Sequence, residues 1–144
     1  MKNVVVDANF SLAQVLPLPY SQDVIRRMST WQSELPHILV PGLWEYEVVT
    51  GLRRACTRGY LTQARAEMLL AQIFGMEFDV VPATVEQHKR AMVWAERLGQ
   101  ARAYDSQYVA LAEHSGAELW TADERLHNRA RQLGVAWVHW VGEE

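Results

Sequence analysis

Val4-Val5-Val6-Asp7 opens the chain with three β-branched apolar residues halted by an acid. So short a run, with no polar alternation, reads as a strand buried on both faces. Leu119-Trp120-Thr121-Ala122-Asp123 repeats the pattern near the other end. Strand-like runs stand at Asn3 to Val6, Ile38 to Val40, Phe78 to Val81, Glu118 to Thr121 and Val135 to His139. Helical patterns fill the intervals. Val24, Met28, Trp31 and Leu35 recur at helical spacing, as do Val85, His88, Met92 and Ala95. Gly42 to Arg58 and Thr62 to Phe74 read as consecutive helices divided at Gly59. Tyr104 to Ser115 and Asp123 to Leu133 are each followed by glycine, a common helix stop. Alternating strands and helices predict an α/β fold: a three-layer sandwich with a central, mainly parallel sheet and helices on both faces. With no repeat, low-complexity segment or linker, residues 1–144 read as a single domain.

A hydrophobic fraction of 49% and a charged fraction of 22% are those of an ordinary soluble globular protein. No apolar stretch approaches the ~20 residues that span a bilayer. The N-terminus runs into a strand pattern, not a signal peptide. Cys56 is the sole cysteine, so no intrachain disulfide is possible. A cytoplasmic protein without membrane contact is expected. A net charge of −3 argues against a sequence-independent coat on nucleic acid. It leaves room for a nuclease, whose cleft must hold acidic ligands. Lys2 and Lys89 are the only lysines, and arginine, whose fork suits phosphate, supplies the other basic side chains.

Four acids stand where separate segments could bring them together. Ligands of parallel α/β sheets bind beyond the carboxyl ends of the strands. Asp7 ends the first strand and Asp123 follows another, while Glu47 and Asp105 each open onto a helical pattern. Gathered carboxylates raise one another's pKa and cost free energy unless a partner offsets it. A hard divalent cation such as Mg²⁺ does so. The pattern points to a metal-dependent phosphodiester hydrolase. Asp105 strengthens it, because it falls within an arc formed by Tyr104, Tyr108, Val109, Leu111 and Ala112, where a lone carboxylate is costly to bury. Glu47 lies off its helix's arc of Trp44, Val48, Val49, Leu52, Ala55 and Cys56, whereas its rival Glu45 lies on it.

Together these stretches resemble the PIN-domain family. Val4-Val5-Val6-Asp7-Ala8-Asn9 is similar to its first motif, and Pro41-Gly42-Leu43-Trp44-Glu45-Tyr46-Glu47-Val48 to its second. Ala103-Tyr104-Asp105-Ser106-Gln107-Tyr108-Val109-Ala110-Leu111-Ala112 is similar to the third, and Leu119-Trp120-Thr121-Ala122-Asp123-Glu124-Arg125-Leu126 to the fourth. Each motif alone is weak; four in order over nearly the whole chain are specific. The similarity is greatest to the VapC-like toxins of toxin–antitoxin pairs. The resemblance implies an endoribonuclease dependent on Mg²⁺ or Mn²⁺, which hydrolyses RNA with a metal-activated water and leaves a 5′-phosphate. It also implies a homodimer and a small antitoxin protein. Asp7 and Asp105 would be the central metal ligands, Glu47 a ligand or water-mediated base, and Asp123 would complete the site. Asn9 and Thr121 would support these from behind, although the family often has Ser or Thr where Asn9 stands. Arg54, Arg97 and Arg102 are candidate contacts to RNA.

Other readings use the same residues. Asp123 before Glu124-Arg125-Leu126 suits a helix N-cap, and Asn9 suits a cap of the segment after it. Asp105, Glu45 and Glu47 near helix starts suit the helix dipole. Arg54, with Arg53 and Arg58, suits a solvated helix face. The five histidines show no paired metal-ligand spacing and read as structural or solvated, Cys56 reads as core, and the tryptophans suit the core or a subunit interface. A phosphorelay receiver would need a late-strand lysine that is absent here, and a dehalogenase-like phosphatase an acid in place of Asn9. The alternative of another class is a catalytically silent PIN domain, binding RNA or protein only.

Overall fold

The apolar run at Val4 to Val6 forms the central strand, and all three side chains are fully buried. The computed structural model describes residues 2–143. Along the chain lie β1 (Asn3–Val6), α1 (Ala8–Leu12), α2 (Ser21–Glu34), β2 (His37–Pro41), α3 (Leu43–Thr57) and α4 (Gln63–Phe74). There follow β3 (Asp79–Val81), α5 (Val85–Leu98), α6 (Asp105–Ser115), β4 (Glu118–Thr121), α7 (Glu124–Gln132) and β5 (Val138–Trp140). The strands are all parallel, in the order β3-β2-β1-β4-β5. Val5 sits between Leu39 and Leu119, so apolar side chains meet across three strands.

From β1 the chain steps outward to β2 and β3, then crosses back to lay β4 on the other side. Parallel crossovers are right-handed, so reversing the direction of travel moves the helices to the opposite face. One layer holds α1, α3 and α4. It also holds α2, whose Trp31 stacks on Phe10 at 5.5 Å and meets Trp120 edge-on at 5.9 Å. In the other layer α6 packs on β1, β2 and β4, α7 on β4 and β5, and α5 against both helices. This is the three-layer α/β arrangement anticipated. The reversal leaves a crevice beyond the carboxyl ends of β1 and β4, the place where such sheets bind ligands.

Several local expectations are corrected. The short helix α1 was not anticipated; Asp7, not Asn9, caps it, and Asn9 lies inside it. Leu35 does not join the buried stripe of α2: it terminates the helix in the left-handed region (φ 49°) and is exposed. The buried face of α5 is Ala91, Trp94, Ala95 and Leu98, while Val85 and Met92 face outward. The small alanines let α5 lie close on α6. That close packing buries α6 nearly all round, Ser106 and Tyr108 to Ala112 alike. β5 starts at Val138, later than Val135, because the Val135 N–H closes the end of α7 on Ala130 O across Gly134 (φ 77°). No helix among the described residues is long and apolar enough to cross a membrane.

Phe10 is fully buried against Trp31. Phe10→Ala should therefore cost about 3–5 kcal/mol, read as a lower urea midpoint at unchanged m-value. A loss below about 1 kcal/mol would mean that the layer closes over the gap.

Candidate active site

Asp7 leaves β1 with extended backbone and turns the chain into α1, whose Phe10 N–H donates to its Oδ1 at 2.9 Å. Its Oδ2 accepts the Thr121 hydroxyl at 2.5 Å and the Ala122 N–H at 3.2 Å. Thr121, fully buried at the end of β4, also accepts the Asp123 N–H on Oγ1 at 2.9 Å. One hydroxyl thus links the acids that follow the two central strands. Asp123 caps α7 with Oδ1, which accepts from Arg125 and Leu126 N–H at 2.9 and 3.3 Å. Asp105 stands in the first turn of α6, and Gln100 Nε2 donates to its Oδ2 at 3.1 Å. Glu47, on α3, accepts the Tyr108 hydroxyl on Oε1 at 2.5 Å.

These acids meet in one place. Asp7, Glu47, Asp105 and Asp123 line a single cavity of about 350 Å³, together with Asn9 and Arg54. Glu45 points away from it into solvent. The register of α3 that aims Glu47 inward is held by a buried bond from Trp44 Nε1 to Ser11 Oγ, 3.0 Å long, which ties α3 to α1. Gly51 assists, since a Cβ there would fall 2.3 Å from Leu12 Cδ1.

None of the four acids is ion-paired among the described residues. Burial pushes Asp7 up to about 6, against the pull of its three hydrogen bonds and with help from the Asp105 charge. Burial also raises Asp105; the Asp123 charge adds to this and Gln100 opposes it. Glu47 rises through burial, opposed by Tyr108 and reinforced by Asp105. Three helix N-termini, those of α1, α6 and α7, offer partial positive charge to Asp7, Asp105 and Asp123.

The donors are hard oxygens without a protein counter-charge, which suits a divalent cation. Among the described residues no three His, Cys, Asp or Glu side chains already converge as a ligand cage. Mg²⁺ needs no such cage, because it is usually held by one or two carboxylates and keeps several waters and substrate phosphate.

Sequence reading missed Tyr108 and Gln100. Tyr108 reads as one more apolar residue of α6, and nothing in its spacing reveals a hydroxyl aimed at Glu47. Gln100 sits in a loop whose path the sequence does not give. Among the arginines, Arg54 lines the acid cavity and Arg102 the neighbouring hollows, while Arg97 packs over Trp94 with its guanidinium 4.2 Å from the ring centroid. No histidine lines the acid cavity; His127 is buried, with Nδ1 2.9 Å from Val138 O.

Comparison with known proteins agrees with this fold. The family model for the PIN domain matches residues 4–132. Ribonuclease VapC3 of Pyrobaculum aerophilum is 33% identical over 124 residues, covering 85% of this chain and 91% of its own. The crystal structure of PAE2754 from Pyrobaculum aerophilum superposes with a TM-score of 0.70 at 20% identity, over 97% of this chain and 84% of its own. A toxin–antitoxin complex from Klebsiella pneumoniae contains a chain with a TM-score of 0.63 at 16% identity, over 98% of this chain and 99% of that one. The motif order, the sheet and these likenesses agree, and the chain belongs to the PIN-domain family, on the side of its VapC-like toxin ribonucleases.

Proposed function

We propose that the chain is a divalent-metal-dependent endoribonuclease and the toxin of a type II toxin–antitoxin pair. The observation that carries this reading is the acid cavity: four carboxylates from four segments, none ion-paired among the described residues, three with raised pKa. A fold that needed only to bind a partner would gain stability by neutralising them. The likeness to a ribonuclease of VapC type supports RNA as substrate, and the likeness to a chain of a toxin–antitoxin complex supports a small antitoxin partner. A homodimer in the cytoplasm completes the proposal.

Asp7 and Asp105 would hold Mg²⁺ or Mn²⁺, with Asp123 completing the site. When bound, the ion supplies Lewis acidity, lowering the pKa of a water and offsetting charge on the scissile phosphate. Glu47 is placed to take the proton of the attacking water, and its raised pKa brings it nearer the value an efficient base needs. The Tyr108 hydroxyl holds one oxygen of Glu47 still and leaves the other free. Asn9 and Thr121 orient the ligands, and Arg54 and Arg102 meet RNA phosphates.

Cleavage of RNA should need Mg²⁺ or Mn²⁺ and should stop in EDTA; persistence after exhaustive chelation would rule the mechanism out. Glu47→Gln should lower turnover about 100-fold or more, as expected for loss of a general base, whereas the exposed Glu45→Gln should leave it unchanged. In cells, the intact chain should arrest growth, and Asp7→Ala at equal protein level should not.

A further prediction needs no substrate. A carboxyl whose pKa is raised by folding adds stability below its unfolded pKa and loses it as pH rises through the folded value. Asp105 is such a group. Without metal, Asp105→Asn should match or exceed the wild type in Tm near pH 7, and the advantage should vanish near pH 3. Added Mn²⁺ should raise the wild-type Tm by binding the folded state and should barely move the variant. A destabilised variant with full metal response would remove Asp105 from the site.

A further inference from the structure

The acid cavity does not stand alone at this end of the sheet. A hollow of about 620 Å³ adjoins it, within the size range of small-molecule sites. Leu43, Tyr46 and Tyr104 line both. Pro41, Leu43 and Ala83 line the apolar part of the second hollow, and Arg102, His88 and Gln107 give it polar groups. Tyr46 and Tyr104 are 74% and 54% exposed, so both rings have a face open to a ligand. Each directly precedes a site acid: Tyr46 comes before Glu47 on α3, and Tyr104 before Asp105 at the start of α6.

Electrostatics argues for a contact that is not ionic. The crevice holds four acids, and Arg54 and Arg102 are the cations that line it and its neighbours. Two arginines give little grip on a polyanion in a chain of net charge −3. Aromatic faces hold bases without regard to charge, and only unpaired bases present a free face. We propose that the second hollow is a nucleobase subsite, where Tyr46 and Tyr104 stack an unpaired base of single-stranded RNA beside the scissile phosphate. The proposal rests on the ribonuclease reading and narrows its substrate to unpaired segments. Arg102 contacts the adjoining phosphate.

The test is binding of a short labelled single-stranded RNA carrying a fluorescent adenine analogue, in EDTA to stop turnover, alongside steady-state cleavage in Mn²⁺. Both rings are exposed, so Tyr46→Ala and Tyr104→Ala should melt with the wild type. Each should weaken binding roughly tenfold and lower kcat/KM by a similar factor, mainly through KM. The Phe variants should bind within about twofold of wild type, since the ring and not the hydroxyl carries the contact. The analogue should be quenched by wild type and not by the Ala variants. The salt slope should be shallow, about −1.4 for two phosphate contacts on a single strand. The same strand annealed to its complement should neither bind nor be cut. Unchanged RNA affinity in folded Ala variants overturns the subsite and leaves the patch to a protein partner. Phe variants as weak as Ala also overturn it. If wild type cuts RNA while the Ala variants lose nothing, the subsite alone fails; if wild type neither binds nor cuts RNA, the ribonuclease reading falls with it.

Discussion

The bond from the Thr121 hydroxyl to Asp7 Oδ2, 2.5 Å long, joins the ends of the two central strands at the point where the sheet reverses direction. Much of the molecule is positioned by it. On one side, Asp7 Oδ1 starts α1 by accepting the Phe10 N–H, and Phe10 then stacks on Trp31 of α2. On the other side, Thr121 Oγ1 accepts the Asp123 N–H, and Asp123 starts α7. Charge-assisted bonds of this kind are shorter and stronger than neutral ones. Two of the residues that meet at the switch point, Asp7 and Asp123, also line the acid cavity.

Holding four acids there has a cost. Raised pKa values at Asp7, Glu47 and Asp105 mean that their charged forms are disfavoured by folding near neutral pH. A domain has only about 5–15 kcal/mol to spare. Helix N-termini return about 0.3–1 kcal/mol each where they meet an acid. The larger offset is packing. α6, which carries Asp105 and Tyr108, is buried on nearly every side, and Trp44 is buried while hydrogen-bonded to Ser11. The acids therefore project from rigid supports, and repulsion has little freedom to spread them.

How much of this the sequence disclosed follows from range. A strand buried on both faces writes itself as Val4-Val5-Val6, and the acid after it is visible because the apolar run stops there. Alternation of such runs with helical spacing was enough for the sheet and its layers. Features decided by contact between distant segments were hidden. The five-residue α1 is too short to show a period, and its cap doubles as the acid of the first motif. Glu45 and Glu47 differ only in the rotation of α3, held by the bond of Trp44 to Ser11, 33 residues before it. The stripe on α5 looked shifted because alanine, which is only weakly apolar, forms the contact face there. Tyr108 shows the same limit: its apolar ring is legible, while its hydroxyl has meaning only once Glu47 is beside it.

An acid at a helix start has two ordinary explanations, a cap or a ligand, and the geometry here makes them compatible. A cap occupies one carboxylate oxygen. Asp123 caps through Oδ1, which leaves Oδ2 to the cavity. Asp7 is different: both of its oxygens accept from the protein, and its contribution to a cation is limited to the remaining lone pairs. An amide in its place would set an N–H against the Phe10 N–H or against the Thr121 and Ala122 donors, so removing its charge also breaks the seam between β1 and β4. At Asp105 the donor is Gln100 Nε2, and an amide oxygen can still accept from it. Charge and architecture are therefore separable at Asp105 and fused at Asp7, which follows from where the two residues sit: one on a helix packed over the sheet, the other in the seam that orders it.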